Sequence, residues 1–175
     1  VLVLMAALLG CGSSPTAPTP DPDPVPAPSS VQQPVYVVLF THIEDNTPAG
    51  DIGSGVARSN YAKLRQGLID MATLARRYNV KWSLQPDWKF LLAAQTYEDA
   101  AMTASTGGKD VLRYWRDSFA TSIDPHSHEN GCYNYADVAY LLEQLGVGGS
   151  TVIGGHIWDP TLPQFQDWDR FRSSQ

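Results

Sequence analysis

Val35-Tyr36-Val37-Val38-Leu39-Phe40 is a continuous β-branched and aromatic run, followed at once by Thr41-His42-Ile43-Glu44-Asp45. An unbroken apolar run of this length suits a strand buried on both faces, the pattern of a parallel sheet. The polar cluster after it closes the strand with an imidazole and two carboxylates. Those groups are the common nitrogen and oxygen ligands of divalent metals and also carry general acid/base chemistry.

The chain after this point alternates. Residues 41–60 read as a long polar loop with Pro48, Gly50, Gly53 and Gly55, and Asn60 is a candidate N-cap. Tyr61, Leu64, Leu68, Met71, Ala75 and Tyr78 then recur at helical spacing. Residues 80–84 predict a second strand, stopped at Gln85-Pro86, and Asp87 predicts a cap for a helix that runs weakly to Thr106. Residues 110–117 predict a short helix. Residues 120–124 predict a third strand, broken by Pro125. Asn134 predicts a cap for a helix with Tyr135, Val138, Leu141, Leu142 and Leu145 turned inward, ended by Gly146 to Gly149. Thr151-Val152-Ile153 predicts a fourth strand running to His156, and residues 164–172 allow a last short helix.

Strands alternating with helices imply parallel βα units. No GxGxxG or P-loop pattern is present, so the usual nucleotide signature of a doubly wound sheet is missing. The four histidines, His42, His126, His128 and His156, all fall at or just past the predicted C-terminal ends of strands. Barrel active sites occupy that face, and so do the sites of open parallel sheets. The expectation is a parallel (β/α) barrel. Only four βα units fit into residues 35–175, against about 250 residues for a complete barrel. The expected domain is therefore the N-terminal half of one.

The densest polar stretch is Asp124-Pro125-His126-Ser127-His128-Glu129. In extended backbone, residues i and i+2 point to the same side, so both imidazoles can reach one ion. A carboxylate from another strand end, with Asp45 the first choice, would complete a two-histidine, one-carboxylate site of the kind used in metal-assisted hydrolysis.

Before the domain the chain is of another kind. Residues 1–9 are apolar and too short to span a bilayer, which takes about 20 residues, and they fit the core of an export signal. Leu8-Leu9-Gly10-Cys11 resembles the bacterial lipoprotein signal, which implies Cys11 as a lipidated N-terminus. Residues 12–34, with Pro18-Thr19-Pro20-Asp21-Pro22-Asp23-Pro24, are too rich in proline and polar residues to fold and read as an extended tether. The expected organisation is thus a signal over residues 1–11, a linker over 12–34 and a domain over 35–175. It would be lipid-anchored at a bacterial cell envelope. A net charge of -6 and the lack of a Lys/Arg cluster argue against a nucleic-acid partner. Cys132 has no evident partner within the domain, so no disulfide framework is expected.

Thr41-His42-Ile43-Glu44-Asp45-Asn46 after a buried strand resembles the first motif of the NodB-type polysaccharide deacetylases, Thr-Phe-Asp-Asp-Gly. Asp124-Pro125-His126-Ser127-His128 resembles their second motif, His-Ser/Thr-x-x-His, which also precedes a helix. Here the histidines are two apart, with Asn130 where the second would fall, and Glu44 and Asn46 replace Asp and Gly. The resemblance implies a distorted (β/α) barrel that removes acetyl groups from surface polysaccharides. It also implies a divalent metal, by expectation zinc. By position it implies Glu44 as the general base and Asp45, His126 and His128 as metal ligands.

Further expectations come from placement. His156 is a candidate acid for the leaving group. His42 is a candidate ligand, substrate contact or orienting partner for Glu44. Of the five tryptophans, Trp88 and Trp158 follow strand ends and are the candidate sugar-stacking residues. Two other functions fit the same residues. One is a glycoside hydrolase pairing Glu44 with Asp159 or Glu129. The other is a glycan-binding lipoprotein without catalysis.

Overall fold

A computed structural model describes residues 34–44, 46–119, 122–128 and 133–155. The compact unit begins at Tyr36. Its elements are β1 (Leu39–Ile43), α1 (Gly55–Arg77), β2 (Trp82–Pro86), α2 (Trp88–Tyr97), α3 (Ala100–Thr103), a 3-10 turn (Ala104–Thr106), α4 (Val111–Phe119) and α5 (Tyr135–Gln144).

β1 and β2 pair in parallel, with Leu39 opposite Trp82, His42 opposite Gln85 and Ile43 opposite Pro86. The next track beside β2 is not a full strand. Leu84 N–H donates to Ser122 O, Asp124 N–H to Leu84 O and His126 N–H to Pro86 O. Beyond it Gly154 makes a parallel bridge to His126. The expected barrel is therefore corrected. Among the described residues the molecule is a mixed α/β unit with a two-stranded parallel sheet and no closure. Two physical reasons account for the difference. Pro125 and the Gly154-Gly155 pair cut the third and fourth expected strands down to bridges. The first strand is also displaced. Residues 35–38 are exposed, Val35 at 88% and Tyr36 at 85%, and the ladder begins only at Leu39.

The helices follow from local chemistry. Ser54, rather than Asn60, caps α1 through a bond from Ala57 N–H to its hydroxyl (3.1 Å), and Asn60 instead donates to Ala49 O. Arg76 and Arg77 lie in the last turn of α1, where cations suit the helix dipole. Asp87 caps α2 by accepting from Trp88 N–H. Asn134 and Asp137 form a reciprocal capping box at the start of α5. Tyr61, Phe90, Leu91, Val111, Leu112, Trp115, Val138 and Leu84 form the fully buried centre. Tyr61 packs against Phe90 and Tyr97, and Trp82 against Trp115.

A buried ion pair links α1 to the segment after α2. Arg65 Nε donates to Glu98 Oε1 at 2.8 Å, with both side chains about 95% buried. The same oxygen accepts from Tyr61 Oη–H (2.8 Å) and Val111 N–H (3.1 Å), and Arg65 also donates to Thr106 Oγ1. Such a pair needs this many partners to offset its desolvation. No helix among the described residues is long and apolar enough to cross a membrane.

Candidate metal centre

Two segments build the centre. β1 carries His42 within its last three residues, not past its end, and Glu44 follows directly. The bridge segment beside β2 carries His126 and His128. Because β2 lies between these tracks, the side chains meet over its C-terminal end. The bond from Asp87 N–H to Ile43 O (3.0 Å) ties the end of β1 to the start of α2.

Glu44 is the hub. Its Oε1 lies 3.5 Å from His42 Nδ1. Its Oε2 lies 3.5 Å from His126 Nε2 and 3.1 Å from His128 Nδ1. His126 Nε2 and His128 Nε2 are 3.2 Å apart. Ligands about 2.1 Å from a tetrahedral ion stand about 3.4 Å from one another, and Glu44 approaches His42 and His126 at that distance. One atom each of His42, Glu44 and His126 lies within 4.8 Å of the other two, and this group could hold a metal ion.

The environment grades from dry to wet. His126 is fully buried, while the side chains of His42, His128 and Glu44 are 31%, 27% and 52% exposed. Burial holds the His126 pKa below its ordinary value, and the neighbouring His42 and His128 push the same way, with Glu44 opposing. A neutral imidazole is the ligating form. The ring is also held on its faces. The His42 ring lies against it, centroids 4.1 Å apart, and His128 meets it edge-on at 4.7 Å. A Cβ built on Gly155 would stand 2.4 to 2.7 Å from Cε1, Nε2 and Nδ1 of His126. Gly155 also has φ +76°, so only glycine serves there. Its backbone can therefore come close to the imidazole face.

Other candidates fall elsewhere. Asp124 bonds to Ser83 and Ser150 and anchors the bridge segment rather than joining the cluster. Asp87 is fully buried as a helix cap. Trp88 stacks on Tyr133, with centroids 4.8 Å apart and planes 3° from parallel. Trp82 and Trp115 belong to the core, donating to Thr41 Oγ1 and Leu68 O. Asp45, Glu129, Cys132, His156, Trp158 and Asp159 lie outside the described residues, as do Cys11 and the tether through Gln33. The Glu44–Asp159 and Glu44–Glu129 pairs therefore have no described geometry. Gly154 and Gly155 stand side by side at the end of the fourth expected strand. That their close approach is onto His126 emerges only from the fold.

Comparison with protein-family models, with curated proteins and with solved structures finds no match to this chain.

Proposed function

We propose that the protein is a zinc-dependent hydrolase, tethered to a bacterial cell envelope, that removes acetyl groups from carbohydrate. The observation that carries this reading is the convergence of three imidazoles and the Glu44 carboxylate over the end of a parallel sheet. Imidazole nitrogens with one carboxylate oxygen suit zinc. The dry-to-wet gradient supports an open site, since His42, His128 and Glu44 border solvent while His126 does not. A divalent cation held there would polarise an acetyl carbonyl and activate water near neutral pH.

The chain's own groups would divide the work. His126 Nε2, a nitrogen of His42 and one Glu44 oxygen would hold the ion. The other Glu44 oxygen accepts the proton of the attacking water. His128 Nδ1, 3.1 Å from Glu44 Oε2, is placed to pass that proton to the leaving amine or alkoxide. Trp88, fixed against Tyr133, offers a rigid aromatic wall to a sugar ring. The acetyl-carbohydrate substrate follows from the motif resemblance, and the envelope location follows from Cys11 and the proline-rich linker. Histidines lying apart would have favoured a binding module without catalysis.

The test is metal analysis of the full chain together with acetate release from acetylated oligosaccharides. The expected result is about one zinc per chain and release that is lost in His126→Ala and Glu44→Gln. Zinc-loaded protein that releases no acetate would remove the activity, and protein that retains no metal would remove the centre.

A further inference from the structure

We infer that Gln85 is the positioning residue for His126, its side-chain carbonyl accepting the proton on His126 Nδ1. The inference rests on the metal-centre reading for its functional meaning but not for its first measurement.

Three observations lead to it. His126 is fully buried, yet its Nδ1 has no hydrogen-bond partner among the described residues. An orphaned buried ring nitrogen has given up its water without a replacement partner, which is unfavourable. A metal-ligating histidine nearly always donates its second ring N–H to an acceptor, which fixes tautomer and orientation. The acceptor at hand is Gln85. It stands opposite His42 in the parallel register, half-buried, on the strand between the two ligand segments. A Cβ at Gly154 would lie 3.2 Å from His126 Nδ1 and 2.1 Å from Gln85 Oε1. The two polar atoms thus border the same small space, which residue 154 leaves open by having no side chain. Gln85 has an unbranched side chain, whose rotation would swing Oε1 across that space toward Nδ1. Nδ1–H donated to Gln85 leaves the Nε2 lone pair pointing at Glu44 and the ion. The opposite tautomer would block it.

Long-range proton–nitrogen NMR of the metal-free protein reads the tautomer directly. The expected result is a proton on Nδ1 of His126. A proton on Nε2 would overturn the proposal whether or not the protein binds metal. Gln85→Met keeps the volume and removes the acceptor, and Gln85→Glu keeps an acceptor. Zinc affinity should fall about ten- to a hundredfold in the Met variant and stay within a few-fold in the Glu variant, with both retaining the wild-type circular dichroism. Gly154→Ala, which fills the shared space, should lose the Nδ1 proton even with Gln85 present. Affinity within twofold of wild type in Gln85→Met would also overturn the proposal. Wild-type protein that binds no zinc, yet carries the Nδ1 proton, would sink the metal centre and leave the Gln85–His126 contact standing.

Discussion

Gly155 and His126 define each other. The ring is buried because the glycine backbone closes one of its faces, and the glycine cannot change because the ring stands where a Cβ would be. Gly155→Ala should destabilise the fold by about 1–3 kcal/mol through left-handed backbone strain alone, read by urea denaturation. The clash should also displace the ring and weaken metal binding. A second residue-scale consequence concerns Tyr61. Burial first, and then the charge of Glu98, hold its hydroxyl pKa well above 10.0. In the unfolded chain a tyrosine ionises near pH 10. Between that pH and its folded value, the unfolded state binds fewer protons than the native state, so stability falls as pH rises. The contribution is fully present below about pH 10. Tyr61→Phe should flatten this alkaline fall, measured as melting temperature against pH.

The helices show which parts of the fold were legible in the sequence. α5 and α2 stand where Asn134 and Asp87 placed them, because a capping side chain acts over three residues and needs no tertiary information. Asn134→Ala should cost about 1 kcal/mol by chemical denaturation. α1 starts earlier than its apolar periodicity suggested, since Ser54 caps a turn, Gly55 to Arg58, that precedes the apolar run beginning at Tyr61. Replacing Arg65 with Met, which leaves the buried Glu98 carboxylate without its counter-charge, should cost about 3–5 kcal/mol, again by denaturation. That pair was invisible beforehand. Residues 65 and 98 carry no local signal of their meeting, and only the packing of α1 against α2 brings them together. The candidate site divides in the same way. The chemistry of His42, Glu44, His126 and His128 was readable from residue type and strand position, whereas Glu44 as the hub of all three imidazoles was not. Gln85 gave no signal, because an amide at a strand end is ordinary until its neighbour across Gly154 is known.

At the scale of the whole molecule, the misread feature was the first apolar run. Val35 to Phe40 has the composition of a strand flanked on both sides, but β1 pairs with β2 alone among the described residues. Phe40 in β1, and Val37 and Val38 just before it, are exposed. Beside them, Met71, Leu74, Tyr78 and Val80 line an apolar groove of about 400 Å³. An open, apolar strand edge promotes association. Val38→Lys should therefore raise the concentration at which light scattering sets in, with the helical circular dichroism unchanged. Hydrophobic pattern reports that a segment wants cover. It does not report how many neighbours the chain supplies.

The candidate centre has one more consequence, which follows from Glu44 and His126 arriving on two tracks separated by β2. Glu44 and His126 are far apart in sequence, and only the completed sheet brings them within 3.5 Å. An ion bound by both is a staple across the sheet, recognising the native arrangement and not the open chain. If the group holds an ion, folding would become a gauge of free ion. With no affinity for the unfolded chain, a hundredfold excess of ion over its Kd adds about 2.7 kcal/mol. The melting temperature should climb with the logarithm of ion activity and drop back under a chelator. It should become indifferent to both in His126→Ala.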